Sequence, residues 1–222
     1  MALSRLTYNS LNVTPTASKG IGFDSGADDL AATFTGGSMT FIKKLTASAS
    51  GTLSFVDGTS DVVLDDTYKE YLFTFKSIHP SSDNDASFGF NVSIDSGSNY
   101  NVAKTTTAFQ AYHNEADNSA AVAYSTGADL GQGTGDQFLG EGTNLSADND
   151  HGLSGYLRLF NPSSTTFVKH FIAETSHTSA ADYQIHRFVA GYANTTSAVD
   201  AVQFKMSSNN VDAGDICLYG IN

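Results

Sequence analysis

Near its end the chain runs Val202-Gln203-Phe204-Lys205-Met206-Ser207 and then, after two turns, Asp215-Ile216-Cys217-Leu218-Tyr219-Gly220-Ile221. In the first segment apolar residues alternate with polar ones, so one face of an extended strand carries Val202, Phe204 and Met206. The turns between the segments are rich in Ser, Asn, Asp and Gly, which favour turns. The stretch therefore predicts two strands that close a β-sheet core.

The same alternation recurs along the rest of the chain in short segments, and no segment has the spacing of an amphipathic helix. The stronger predicted strands are 39–45, 52–56, 68–78, 88–94, 155–160, 166–172 and 185–192, and the weaker ones are 109–113 and 121–124. About ten short strands without helical crossovers predict an all-β protein, an antiparallel two-sheet β-sandwich. Jelly-roll connectivity is the expected arrangement, because it is the commonest way to connect so many strands.

Three local details of this prediction can be compared with a structure. The segment 88–94 alternates so regularly that Phe88, Phe90, Val92 and Ile94 are all expected to point inward. Pro80 is expected to end the strand before it, since proline cannot donate to a ladder. The single cysteine, Cys217, is expected to be a buried thiol that acts as a small apolar side chain.

Residues 1–37 differ from the sandwich domain predicted for 38–222. Their apolar residues are irregularly spaced and are followed by a run rich in Gly, Ser and Asp, which predicts an extended N-terminal arm. Such an arm is either a partly ordered tail or an anchor that gains order against another subunit. The candidate anchor residues are Leu3, Leu6, Tyr8, Leu11 and Val13.

The chain carries 23 acidic residues against 11 Lys and Arg, a formal net charge of -12. A negative field of this size repels nucleic acid and anionic membrane surfaces, so neither is an expected partner. The N-terminus lacks the apolar core of a secretory signal, and no segment is long and apolar enough to span a bilayer. We therefore expect a protein made in the cytoplasm and, if it acts outside a cell, released by lysis.

No motif predicts catalysis, so the chain is expected not to be an enzyme. The six histidines have no metal-ligand spacing, no G-x-S-x-G elbow is present, and the acidic pairs lie in predicted loops. No cofactor is expected. The loops Asp83-Asn84-Asp85 and Asp148-Asn149-Asp150 offer oxygen ligands for Ca²⁺, but neither continues into an EF-hand pattern.

Tyrosines that border predicted loops are the better candidates for binding. Sugar-binding sandwiches stack pyranose rings on such side chains, while the alternative is that tyrosine is simply common at the rims of sheets. The candidate glycan-binding residues are Tyr100, Tyr112, Tyr124, Tyr156 and Tyr183.

Several further segments, spread in order along residues 37–221, carry a family resemblance. They are Ile78-His79-Pro80, Ser96-Gly97-Ser98-Asn99-Tyr100-Asn101-Val102, Lys104-Thr105-Thr106-Thr107, Phe160-Asn161-Pro162-Ser163-Ser164-Thr165-Thr166, Lys169-His170-Phe171, Asn194-Thr195-Thr196-Ser197-Ala198, Gln203-Phe204-Lys205-Met206 and Leu218-Tyr219-Gly220-Ile221. Together they resemble β-rich virion proteins and fibre-end domains of tailed bacteriophages, especially marine ones. These segments mark a structural domain, so no catalytic or ligand residue is carried over.

The resemblance implies a non-enzymatic role on the virion surface, with other virion proteins as partners. The first expectation is a capsid decoration or head-fibre protein whose arm grips the major capsid protein. The alternative is a tail-fibre or tail-tip adhesin for host attachment, which contacts tail proteins and binds host-surface polysaccharide. The arm lacks the heptads of a fibre shaft, which favours decoration. A homotrimer is expected in both cases, and a glycan-processing enzyme is a remote third alternative.

Overall fold

The computed structural model describes residues 19–23, 30–35, 38–82, 86–140 and 145–222, with side chains from residue 38 onward. The chain divides into two compact units, Met1–Thr40 and Phe41–Asn222. In the first unit, β1 (Lys19–Phe23) and β2 (Leu30–Thr35) pair antiparallel, which the sequence pattern did not predict. The candidate anchor residues at positions 3–13 lie outside the described residues, so the arm and its boundary at residue 37 stay predictions.

The described residues after position 38 form strands and no helix, in keeping with the alternating sequence pattern. The strands are β3 (Met39–Thr46), β4 (Leu53–Val56), β5 (Glu70–Pro80), β6 (Phe88–Ser93), β7 (Lys104–Asn114), β8 (Ala120–Tyr124), β9 (Gln137–Gly140), β10 (Leu153–Phe160), β11 (Lys169–Thr178), β12 (Tyr183–Ala193), β13 (Ala201–Met206) and β14 (Val211–Ile221).

These strands build two sheets of unequal width. The wide sheet has eight strands in the order β3-β14-β5-β10-β11-β12-β7-β8, and the narrow sheet has four in the order β4-β13-β6-β9. The strand pairs are antiparallel in register. The prediction of an all-β, two-sheet antiparallel sandwich is confirmed.

The core lies between the two sheets and is dominated by phenylalanine. Phe204 of β13 is fully buried, and its ring centroid lies 5.3 Å from those of Phe73 and Phe75 on β5. Further along, Phe90 of β6 meets Phe171 of β11 edge-on at 5.0 Å. Edge-to-face contacts of this kind add to the free energy of apolar burial. The predicted inward face of β13, Val202, Phe204 and Met206, is buried as expected.

The prediction for β6 is wrong in part. Ile94 lies just beyond the end of the strand and is 43% exposed, because the chain turns at Asp95. The polar residues of β6 are not on a solvated face either. Asn91 is buried, and its amide donates to the carbonyl of Thr134 at 3.0 Å, because the segment before β9 covers this face.

Of the two other local predictions, the one for Pro80 is confirmed and the one for Cys217 is corrected. The strand β5 ends at Pro80, which is its last residue and stands opposite Val211 at an irregular end of the ladder with β14. A proline is tolerated there because ladder hydrogen bonds are already interrupted at bulges. Cys217 is only half-buried, since its side chain points from β14 away from the core.

Candidate functional site

One face of the wide sheet packs on the narrow sheet, and the other, here called the outer face, carries an aromatic row. The register places Tyr156, Glu174, Phe188, Phe109 and Tyr124 side by side on β10, β11, β12, β7 and β8. Because neighbouring strands lie about 4.8 Å apart, the row is about 19 Å long. Phe188 and Phe109 stack with centroids 4.8 Å apart and planes inclined by 11°. Phe188, Phe109 and Tyr124 therefore form an aromatic platform on three neighbouring strands, and Glu174 separates it from Tyr156.

Next to this row lies a groove that crosses the same strands. Its floor carries small side chains, Ala190 of β12 and Thr107 of β7, which are cross-strand neighbours. Its lining includes Tyr192, whose ring lies 5.9 Å from that of His170. The stacked Phe188 and Phe109 pair stands in the adjoining row of the register, two residues along each strand from the floor. The groove is a shallow concavity of about 580 Å³ that is lined on its remaining sides by Phe160, Ile172 and Thr105.

A polar cluster stands at one end of the aromatic row. Glu174 accepts a hydrogen bond from the Tyr156 hydroxyl at 2.6 Å and lies 2.7 Å from His186 Nε2. Because a carboxylate only accepts, Nε2 carries the hydrogen in this pair. The bond from Tyr156, and then that from His186, lowers the pKa of Glu174, while the bond to Glu174 raises the pKa of Tyr156. Glu174 is therefore a fixed, ionised acceptor beside an aromatic platform.

The cluster has the residue types of a hydrolase but not the arrangement. Ser176 stands opposite His186 in the register, yet its hydroxyl accepts from the Gln184 amide at 2.8 Å. The side chains stand on strands inside a sheet, where backbone amides are used by the ladders and cannot serve as oxyanion donors. The arrangement can hold a ligand through hydrogen bonds and ring contacts.

The five predicted tyrosines do not share one surface. Tyr124 and Tyr156 lie in the aromatic row of the outer face. Tyr112 and Tyr183 contact each other edge-on at 5.6 Å and alternate with the outer-face residues of β7 and β12. Tyr100 lies in the segment before β7, where its hydroxyl packs beside Gly97. Only the first two belong to the candidate site.

The histidines and acidic loops are dispersed. His79 contacts the carbonyl of Asp148 at 3.1 Å, and His113 pairs with Asp117 at 3.0 Å. In the part of the chain that the structure describes, no three His, Cys, Asp or Glu side chains come together as a metal site. The loop 83–85 lies outside the described residues, so its candidacy for Ca²⁺ stays a prediction.

Sequence reasoning missed most of the site. The predicted strands 109–113 and 185–192 contain Phe109, His186, Phe188 and Tyr192, but only their alternation was visible. The row arises from register across five strands, which local alternation leaves open. The one available signal was that three of the four alternate positions 186, 188, 190 and 192 are aromatic, the exception being Ala190.

Comparison with models of protein families, with curated proteins and with solved structures finds no match. Within the described residues, no helix is long and apolar enough to cross a membrane.

Proposed function

We propose that this chain is a non-enzymatic structural protein on the exterior of a tailed phage particle, most simply a capsid decoration or head-fibre protein. The observation that carries the proposal is the outer face, where an aromatic platform and a groove stand exposed on a chain of net charge -12. Exposed apolar patches of this kind mark surfaces that contact another molecule. Their position on a packed sandwich fits a rigid module that presents a contact face.

We infer further that the sandwich is an elaborated jelly roll. The hairpin β7-β8 and the pair β11-β12 extend one side of the wide sheet and can be set aside. The remaining strands then follow the orders β3-β14-β5-β10 and β4-β13-β6-β9, and the chain alternates between the sheets at every step except from β6 to β9, which are neighbours in the narrow sheet. This is the order produced by two Greek keys, which supports the jelly roll expected from the sequence. Both insertions contribute to the outer face.

In this proposal residues 1–37 anchor the protein to the major capsid protein or to a tail protein, and the sandwich faces outward. Gold-labelled antibody on purified particles tests the position, and we expect label on the shell. Deletion of residues 1–37 should abolish incorporation while the sandwich still folds. Label at the tail would reject decoration, and incorporation of the truncated sandwich would reject the anchor.

A second candidate, a tail-tip adhesin that binds host-surface glycan, is favoured by the chemistry of the groove. The aromatic side chains Phe160 and Tyr192 of the lining can stack against pyranose rings, and the threonines of the floor and side can bond hydroxyls. Phe188, in the adjoining row, is four residues from Tyr192 on the same strand, about 14 Å away, which leaves room for a sugar ring. The net charge disfavours an acidic polysaccharide, so the expected ligand is a neutral one.

Titration with neutral host polysaccharide distinguishes the two candidates. Tyr192→Ala and Phe109→Ala should each weaken binding at least tenfold if the groove holds the sugar, and Tyr112→Ala serves as the matched control. Unchanged binding in both groove variants would reject the groove as the glycan site. Release of reducing sugar during the same titration would instead support the remote alternative of a glycan-processing enzyme.

A further inference from the structure

The last strand of the wide sheet, β8, presents an open edge. It is the terminal strand of the order and pairs with β7 in a register that has no bulge over five residue pairs. Two backbone hydrogen bonds show which residues of β8 bond to β7: Asn114 N donates to Ser119 O, and Ser125 N donates to Ala108 O. Since bonded pairs alternate along an antiparallel ladder, Ala121 and Ala123 bond to β7. The backbone groups of 120, 122 and 124 therefore point away from the sheet.

This edge has none of the usual protection against pairing. Natural edge strands carry Lys, Pro or a bulge, whereas β8 is Ala-Ala-Val-Ala-Tyr. Two of its side chains are also exposed to solvent, Val122 at 77% and Tyr124 at 54%. An uncharged five-residue edge is notable in a chain with 23 acidic residues, because it lets two copies approach without charges on the paired strands.

We propose that β8 pairs antiparallel with β8 of a second copy, about a two-fold axis at Val122. A second copy fits this edge because the pattern is self-complementary. Val122 then faces Val122, and Ala120 faces Tyr124, so each outward amide and carbonyl of these residues meets a partner. A strand of a different protein could make the same number of backbone hydrogen bonds. Only pairing with a second copy of β8 requires the outward groups to be arranged symmetrically about Val122.

The pairing has a consequence for the outer face. The two-fold axis of an antiparallel strand pair is perpendicular to the sheet, so it keeps both outer faces on the same side. The aromatic row of each copy ends at Tyr124 on β8, so each row reaches the interface opposite Ala120 of the other copy, offset from the other row by about 14 Å along the strands. A ligand with repeated units could then engage both grooves, with a gain in apparent affinity from bivalency. The dimer itself does not depend on the proposed virion role.

Charges at the ends of β8 set the expected salt dependence. Asp129 accepts from the Tyr124 hydroxyl at 2.8 Å, and Asp117 lies in the turn that precedes β8. In the paired register Asp129 of one copy approaches Asp117 of the other. Screening weakens this repulsion, so added salt should strengthen the dimer.

Multi-angle light scattering of the full chain at micromolar concentration tests the proposal, and we expect a dimer. Val122→Lys places two like charges opposite each other and should give a monomer, while Val122→Pro should do the same by removing an outward amide that β7 does not use. Phe167→Lys is the matched control, because Phe167 is equally exposed and lies before β11. A wild-type monomer or trimer, or a dimer that survives both Val122 variants, would overturn the proposal.

Disulfide trapping provides a second, positional test in a Cys217→Ser background. Opposed residues of a bonded antiparallel pair have Cα atoms about 5.5 Å apart, within the range that a disulfide spans. Val122→Cys should therefore form a covalent dimer on oxidation, and Ala120→Cys should not, because it faces Tyr124 of the other copy. Equal trapping at both positions would contradict the register.

Discussion

Lys104 shows how a single residue of the core depends on pH. It is fully buried on β7, and its ammonium donates to Asn91 Oδ1 at 2.5 Å and to the carbonyl of Val102 at 2.9 Å. A second buried lysine, Lys169, donates hydrogen bonds to three carbonyl oxygens, those of Ser164, Phe167 and Thr195. Burial lowers the pKa of Lys104 to about 8, although Asp136 opposes the shift. The charged form of Lys104 therefore lowers the stability of the folded state relative to the neutral form.

The sign of the pH effect follows from the two pKa values of Lys104. The unfolded chain keeps the proton up to about pH 10.5, and the folded chain loses it above about pH 8. Between these values the unfolded state binds more protons, so this lysine makes the folded state more stable as pH rises. Across the whole interval the gain amounts to about 3–4 kcal/mol, since one pKa unit corresponds to about 1.4 kcal/mol.

We predict that Lys104→Met removes this rise in stability. Urea unfolding at about pH 7 and about pH 10 gives the free energy of unfolding of wild type and variant. In the difference between the two proteins, the contributions of the titratable groups that they share cancel. Wild type should gain free energy of unfolding relative to Lys104→Met on going to the higher pH. Lys76→Met, at an exposed position of β5, is the control and should follow wild type. Parallel pH profiles of Lys104→Met and wild type would contradict the prediction.

Among the elements, β13 is one of the strands that connect the two sheets through the core. It lies between β4 and β6 in the narrow sheet, and its Phe204 reaches across to β5. The other rings within 6.2 Å of Phe204 are those of Phe55, Phe88 and Phe90. The strand therefore links its own sheet to the wide one through a single side chain.

We predict that Phe204→Ala lowers the free energy of unfolding by about 3–5 kcal/mol, because it leaves a cavity among packed rings. Denaturant unfolding monitored by circular dichroism measures the loss. Phe167→Ala, which truncates a ring that is 68% exposed, is the control and should change stability by about 0.5 kcal/mol or less. A loss of similar size in both variants would show that Phe204 is not central to the core.

For the whole molecule, the position of β14 makes folding depend on the last residues. This strand lies between β3 and β5 in the wide sheet, so the sheet closes only when residues 211–221 are in place. It also contributes Ile216 and Leu218, both fully buried. Contacts between the ends of a chain are costly in loop-closure entropy and form slowly.

We predict that a chain truncated after Asn210 does not fold. Its loss should appear as an absent near-ultraviolet circular dichroism signal and as rapid amide hydrogen exchange throughout the sandwich. Removal of Asn222 alone, an exposed residue beyond β14, should leave both measurements unchanged. Cooperative unfolding of the truncated chain would show that β14 is dispensable.

The fold class and many strand positions could be predicted from the sequence, because alternation depends only on local backbone geometry. Side chains of an extended chain point to opposite faces whatever the strand pairs with, so Val202, Phe204 and Met206 identify a buried face by themselves. The failures were also local in origin. Ile94 continues the pattern but lies past the end of β6, and strand β7 is twice as long as its apolar core.

The tertiary structure alone decided the candidate site. Tyr156, Glu174, Phe188, Phe109 and Tyr124 come from five strands, and 79 positions of the sequence separate Phe109 from Phe188. Which strands are neighbours, and in which register, depends on long-range pairing and on burial of the opposite face, neither of which local alternation specifies. The sequence by itself determined that this chain is a β-sandwich with an acidic surface; the pairing of its strands decided where aromatic rings and an ionised carboxylate meet and which edge stays open.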